Sequence, residues 1–405
     1  MSLYKSWLIW LCASLFYGYQ YILRVIPNVL KAEITAVFHF DTLLFGQFAG
    51  IYYLGYTLAH IPFGIMLDHF GPKYILPLSI ILSLVGMIPM IASDQAVFGI
   101  GGRFILGMGS SCAFIGLVKV VQLYFPNKSF NRMLSVGSIF GLMGAVFAGA
   151  PIVYLLPYIA WENIILISIV VGCILAVILF FVLPNQDSYK SSANLKSLFQ
   201  SLLNNKAVLL IALGGGLMVG PLEGFVDAWA SESLAVFYAF SKHQASQGVS
   251  LVYLGFACGL AGLSYTSDRF GVDKTIIFSG IMMILSFISI ISGSLFNEGV
   301  FMALFILGFF SSYQVPALYK STLCANKAQS GFTTSFVNTI FMVFGLFFHT
   351  VIAGSIQFFS GVDDYVLTNE GCTMMTYQKG FFIIPVGLMM GTFIFYYLSK
   401  SGKKV

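Results

Sequence analysis

Charge is scarce in this chain. Only 9% of its 405 residues are Asp, Glu, Lys or Arg, while 58% are hydrophobic. An ordinary soluble domain carries about 25% charge. A mean hydropathy of +0.91, spread over the whole length in repeated apolar runs, is more than a soluble fold can hide. A bilayer accommodates it, because about 20 apolar residues cross the hydrocarbon core as a helix. The alternation of an outer-membrane barrel strand is missing, so the spans are helices. A CxxC pair is missing too. Cys12, Cys112, Cys173, Cys258, Cys324 and Cys372 are scattered, mostly within apolar runs. They read as small apolar side chains, without metal or disulfide chemistry. No GxxxxGK[ST], HExxH or nucleophile elbow occurs, which argues against ATP as an energy source and against an enzyme. No cofactor is expected. The first apolar stretch runs to about Leu30 without an A-x-A-like site, so it reads as an uncleaved span.

What is present is a succession of apolar runs between polar breaks. Twelve candidate spans cover about 7–30, 43–67, 74–93, 97–124, 133–156 and 162–183, then about 207–231, 246–266, 274–295, 299–323, 331–357 and 380–399. The expected fold is an all-α membrane protein of twelve transmembrane helices in two pseudo-symmetric six-helix bundles. Residues 1–184 form the first bundle, 185–206 a cytoplasmic linker and 207–405 the second bundle. With the N-terminus in the cytoplasm, 13 of the 20 Lys and Arg residues lie on the cytoplasmic side. The outer loops hold three, Lys31, Lys242 and Lys379, and the spans hold four, Arg24, Arg103, Lys119 and Lys320. That bias puts both termini in the cytoplasm. The net charge of +5 then reflects topology and gives no reason to expect a nucleic-acid partner.

The halves repeat at a nearly fixed offset. Tyr53-Leu54-Gly55 recurs as Tyr253-Leu254-Gly255, and Asp68-x-x-Gly71 as Asp268-x-x-Gly271, both 200 residues on. Phe104-Ile105-Leu106-Gly107 recurs as Phe305-Ile306-Leu307-Gly308, Ser110-Ser111 as Ser311-Ser312, and Lys119 as Lys320, all at 201. Duplicated halves around a central path suit a secondary transporter more than a channel.

The loop Gly64-Ile65-Met66-Leu67-Asp68-His69-Phe70-Gly71-Pro72-Lys73 resembles the G-x-x-x-D-x-x-G-[RK]-[RK] signature of the major facilitator superfamily, with Pro72 in one basic position. Arg103-Phe104-Ile105-Leu106-Gly107-Met108-Gly109 is similar to its R-x-x-x-G-x-G motif. Gly141-x-x-Gly144 with Gly149-Ala150-Pro151 resembles in part the glycine-proline motif of antiporters. Tyr19-Gln20-Tyr21-Ile22-Leu23-Arg24-Val25-Ile26-Pro27 resembles a bacterial branch with a YQ-x-x-LRV-x-P first helix, related to transporters of dipeptides and to members linked to siderophores or nutrients. The resemblance implies the major facilitator fold and alternating access. It also implies a bacterial inner membrane, a monomer, and first and seventh helices that face each other across a cavity. The antiporter motif points toward export and the first-helix branch toward uptake, so direction stays open.

An ionisable residue inside a span is expensive and defaults to a functional hypothesis. Arg24 is a candidate clamp for a substrate carboxylate, since a guanidinium offers paired donors; a structural ion pair is the alternative. Glu223 and Asp227, four apart on the seventh span, share a helical face, with Glu223 expected level with Arg24. They compete between an outer gate paired with Arg24 and carriage of the coupling proton. Arg103 joins them as a candidate for proton coupling or the gate, with a structural role as the alternative. Lys119 and Lys320 either snorkel to the cytoplasmic surface or line the path as an anion-attracting pair. Gln20, Tyr21, Tyr313 and Gln314 are candidate cavity-lining residues. Asp68, Gly71, Lys73, Asp268 and Arg269 are candidates for the cytoplasmic gate. His60 and His349 read as hydrogen-bonded packing. Gly214-Gly215-Gly216 and Pro221 are expected to loosen the seventh helix.

Four intramembrane cations against two carboxylates suggest an anionic or zwitterionic solute, such as an organic acid, a polycarboxylate siderophore or a dipeptide. A proton is the expected coupling ion. A dipeptide or amino-acid uniporter or symporter, a drug or metabolite exporter, and a channel remain as alternatives.

Overall fold

The computed structural model describes residues 3–126, 129–185, 195–325, 330–360 and 373–400. Residues 186–194 of the expected linker, Cys372, and Lys128, Lys190, Lys327, Lys403 and Lys404 of the orientation count lie outside the described residues. So do the side chains of Arg132 and Lys196. The described elements are helices. In the first half they are α1 (Leu3–Val29), α2 (Lys31–Phe38), α3 (Thr42–Phe70), α4 (Pro72–Ala92), α5 (Ala96–Ser110), α6 (Cys112–Tyr124), α7 (Phe130–Ala148), α8 (Ala150–Leu155) and α9 (Trp161–Val182). Then come α10 (Leu195–Leu203), α11 (Lys206–Gly224), a π-helical turn (Phe225–Trp229), α12 (Ala230–Tyr238), α13 (Lys242–Phe270) and α14 (Val272–Ile291). The chain continues with α15 (Asn297–Ser311), α16 (Gln314–Leu323), α17 (Ser330–Ser360), α18 (Met374–Gly380) and α19 (Ile383–Lys400). Among the described residues, eleven candidate spans are long and apolar enough to cross a membrane. A twelfth is counted if α2 and α3, bent by 112°, form one span. Exposed faces such as Ile167, Val170, Ile174 and Phe181 on α9 carry only apolar groups, as a lipid-facing surface requires.

The chain divides into two compact units. Met1–Phe40 and Ile51–Ser191 make unit 1; Asp41–Gly50 and Ser192–Val405 make unit 2. Within unit 1, α1 lies on α7, and α4 lies on α5 and α9. Within unit 2, α11 lies on α17, and α14 lies on α15 and α19. The partner scheme is therefore the same in both, as the repeat demands.

The repeated tripeptides are contact points. A Cβ on Gly55 would meet the Phe104 carbonyl, and one on Gly107 the Tyr52 carbonyl. In unit 2, Gly255 lies against the Phe305 carbonyl and Gly308 against the Val252 carbonyl. Such backbone-to-backbone contact tolerates only glycine. Helix ends repeat as well. His39 and Ala239 take left-handed φ values of 52° and 53°, and helix caps follow two residues later. Asp41 Oδ1 accepts the Leu44 N–H at 2.6 Å, and Ser241 Oγ accepts that of Gln244 at 3.2 Å. Both units also break a span at the repeated serines. Ser111 Oγ donates to the Met108 carbonyl at 2.7 Å and Ser312 Oγ to that of Phe309 at 2.8 Å.

Gly71 (φ 77°) and Gly271 (φ 94°) join consecutive helices in one residue. With ψ of 165° and 147° they occupy a region open essentially to glycine alone. Pro72, the departure from the signature loop, stands at the first position of α4, where its fixed φ fits and its missing N–H costs nothing.

Pro27 shapes α1. It has no N–H, so the Leu23 carbonyl one turn back loses its helical donor. Arg103 replaces it from α5. Its Nη1 donates to the Leu23 carbonyl and its Nη2 to the Arg24 carbonyl, both at 2.8 Å. The guanidinium also lies 4.6 Å from the Tyr52 ring centroid.

Two predictions follow from these backbone demands. Arg103→Gln should lower stability by about 2–4 kcal/mol, the range for lost hydrogen bonds from a charged group. In a Pro27→Ala background, where residue 27 regains its N–H, that loss should shrink. Thermal unfolding of the four proteins of the cycle in detergent measures it, and additivity within about 0.5 kcal/mol would sink the idea. Gly271→Ala should cost roughly 1–3 kcal/mol from backbone strain alone, although no atom lies within 4 Å of the added Cβ. Gly101→Ala, also in open space but inside a helix, should be neutral or gain about 0.5–1 kcal/mol.

Candidate functional site

In unit 1 the expected site residues of α1 gather with tyrosines of α3. Arg24 is 7% exposed and Gln20 is 4% exposed, while Tyr21 is half-buried. The Arg24 guanidinium carbon lies 5.3 Å from the Tyr21 ring centroid and 5.2 Å from that of Tyr53. A guanidinium against aromatic faces keeps its charge at a reduced desolvation cost. Gln20 Nε2 donates to the Tyr52 hydroxyl. Further along α3, Tyr56 stacks on His60 at 5.3 Å and 19°. His60 Nδ1 sits 3.2 Å from the Ser111 carbonyl at the break of the fourth span. Tyr52, Tyr56 and His60 went unread as a set, although their spacing of four places them on one helical face.

In unit 2 the two carboxylates differ in burial. Asp227 is 3% exposed, in the middle of the π-helical turn, whereas Glu223 is half-buried at the end of α11. The Tyr253 hydroxyl donates to Asp227 Oδ1 at 2.5 Å. Tyr253 is the repeat equivalent of Tyr53. Asp227 therefore has the tyrosine contact that corresponds to Arg24, a role the repeat offset had suggested for Glu223. Tyr313 is fully buried, and its hydroxyl donates to the Gly215 carbonyl at 2.9 Å, which places it in packing between α11 and the break between α15 and α16. Gln314 is half-buried at the start of α16. His349 is buried, with Nδ1 2.8 Å from the Gly345 carbonyl.

The two repeated lysines are ion-paired. Lys119 Nζ lies 2.6 Å from Asp68. Lys320 pairs with Asp273, not with Asp268, the equivalent of Asp68. Position 73 differs between the units: unit 1 has Lys73 there and unit 2 has Asp273. Lys73 turns to the Phe180 ring, 5.4 Å from its centroid. Asp268 and Arg269 are exposed, and Arg269 Nη1 reaches the Tyr265 hydroxyl at 3.4 Å. Gly71 supplies the turn between α3 and α4 described above.

Among the described residues no group of three or more His, Cys, Asp or Glu side chains could hold a metal ion. A cavity of about 350 Å³ beside Met90, Asp94, Trp161 and Glu162 contains none of the expected site residues. The chemical capacity of the charged clusters is plain. A buried guanidinium can bind a carboxylate, and a buried carboxylate hydrogen-bonded to a phenol can exist with or without its proton.

Known proteins share this architecture. The chain is 29% identical over 183 residues to an uncharacterized transporter of Buchnera aphidicola, covering 43% of this chain and 45% of that one. It is 26% identical over 172 residues to the transporter lnaF of Aspergillus flavus, covering 42% and 35%. The matches thus span less than half the length of these curated relatives. In three dimensions it resembles a bacterial homologue of the human lysosomal transporter Spinster, with a TM-score of 0.77 at 14% identity over 99% of this chain and 98% of that one. The nucleoside transporter NupG is similar at a TM-score of 0.77 and 13% identity, covering 98% and 99%. These structures share the fold, which is that of transporters. The profile of the Major Facilitator Superfamily matches residues 9–350, and the chain belongs to that family.

Proposed function

We propose that this transporter moves a small anionic or zwitterionic solute across a bacterial inner membrane by proton-coupled alternating access, with both termini in the cytoplasm. The observation that carries this reading is Arg24, a cation 7% exposed within a span and set against Tyr21 and Tyr53. The four intramembrane cations do not count equally. Lys119 and Lys320 neutralise carboxylates, and Arg103 serves main-chain carbonyls. The argument for an anion rests on Arg24 for its burial and its place against the tyrosines of α1 and α3. The resemblance of its helix to the YQ-x-x-LRV-x-P branch supports a nutrient such as an organic acid, a siderophore or a dipeptide.

For the proton, Asp227 is the candidate. It is buried in a π-helical turn, a feature that often marks functional sites, and its Oδ1 accepts a hydrogen bond from the Tyr253 hydroxyl. Cytoplasmic gating falls to Asp68 with Lys119, and Asp273 with Lys320. The Lys320 ion pair adds Asp273 to Gly71, Lys73, Asp268 and Arg269 as candidates for that gate.

Purified protein in proteoliposomes tests both assignments. Arg24→Gln should weaken uptake of anionic solutes by more than about tenfold, the effect of roughly 1.4 kcal/mol, mainly through KM. Arg24→Lys should retain part of the activity. Unchanged transport of every anionic candidate in Arg24→Gln would refute the anion site. Asp227→Asn should abolish accumulation driven by a pH gradient while sparing solute exchange at equal pH. A variant that still accumulates solute against its gradient would exclude Asp227 as the proton carrier.

A further inference from the structure

We infer that the solute recognised at Arg24 carries a planar unsaturated ring beside its carboxylate. This rests on the proposed anion site and adds a chemical class to it. In unit 1, Arg24 sits within a continuous series of aromatic contacts. On one side, Tyr21 meets Tyr17 at 5.2 Å and 74°, and Tyr17 meets Phe114 at 5.5 Å. On the other, Tyr53 meets Tyr52 at 5.4 Å, Tyr52 meets Tyr56 at 6.3 Å, and Tyr56 stacks on His60 at 5.3 Å.

Packing alone does not account for this choice of residue. The chain has 41 Phe and 21 Tyr, so phenylalanine is its ordinary ring. Five of the tyrosines nevertheless gather at one buried cation, where each phenol has to find a hydrogen-bond partner. Tyr17 and Tyr21 are both half-buried, so part of each ring remains available for contact. Their hydroxyls share a 3.5 Å bond. Edge-to-face contact with such rings favours an aromatic ligand over a saturated one of equal charge and size. A guanidinium at the end of the aromatic lining then takes the carboxylate.

Calorimetric binding to the full chain in detergent, at one fixed pH, tests the inference with four probes. They are benzoate, pyridine-3-carboxylate, cyclohexanecarboxylate and succinate. The aromatic acids should bind about two- to tenfold more tightly than cyclohexanecarboxylate, the span of one aromatic pair. Tyr21→Leu should bring that ratio close to one, and Tyr21→Phe, which keeps the ring, should preserve it. Equal affinities in the wild type, or tighter binding of succinate, would overturn the ring preference. If those affinities still fall in Arg24→Gln, the anion site survives that failure. Aromatic-acid binding that is indifferent to Arg24→Gln would overturn the anion site and the inference together.

Discussion

A main-chain carbonyl without a donor inside hydrocarbon costs several kcal/mol, and unit 1 is arranged around one such carbonyl. Pro27 creates the deficit at Leu23. Arg103 fills it from 80 residues away and extends the same guanidinium to the Arg24 carbonyl. One side chain thus satisfies the break in α1 and ties α1 to α5. It also fixes the backbone of Arg24, which can aim its guanidinium only as its own Cα allows. Tyr52 then joins both ends of the arrangement, facing Arg103 with its ring and Gln20 with its hydroxyl. An intramembrane arginine need not meet a substrate to be indispensable.

The same accounting explains which features were legible in the sequence. Twelve apolar runs predicted the helices to within a few residues at most ends, because hydrocarbon thickness sets their length. The repeat was legible because its residues answer backbone demands that few side chains meet. Gly55 and Gly107 permit two helices to touch, and Gly71 and Gly271 adopt a conformation closed to other residues. Such constraints survive duplication because any substitution is costly.

Side-chain partnerships were less legible. Lys119 and Lys320 are equivalent in the repeat, yet their carboxylates come from different repeat positions, Asp68 and Asp273. A lysine is long enough to reach several neighbours, and the equivalent positions carry Lys73 in unit 1 and Asp273 in unit 2. The form of the seventh span was also not legible. A period of four suggested one face for Glu223 and Asp227; the helix widens into a π turn from Phe225, with Asp227 buried and Glu223 half-buried. Pro221 and the glycine run signalled weakness there without specifying its form.

The tyrosine repeated at positions 53 and 253 links these observations. In unit 1 its ring meets a cation, Arg24; in unit 2 its hydroxyl meets an anion, Asp227. A phenol can do both, since its face attracts positive charge and its O–H donates to a carboxylate. After duplication, the charge beside it could therefore diverge while the tyrosine stayed. The unit 2 pairing is also compatible with the proposed proton carriage. The Tyr253 hydroxyl can donate to the ionised group and also to the carbonyl oxygen of the protonated one. That bond survives both halves of a proton cycle, so protonation changes the charge on Asp227 without requiring Tyr253 to let go.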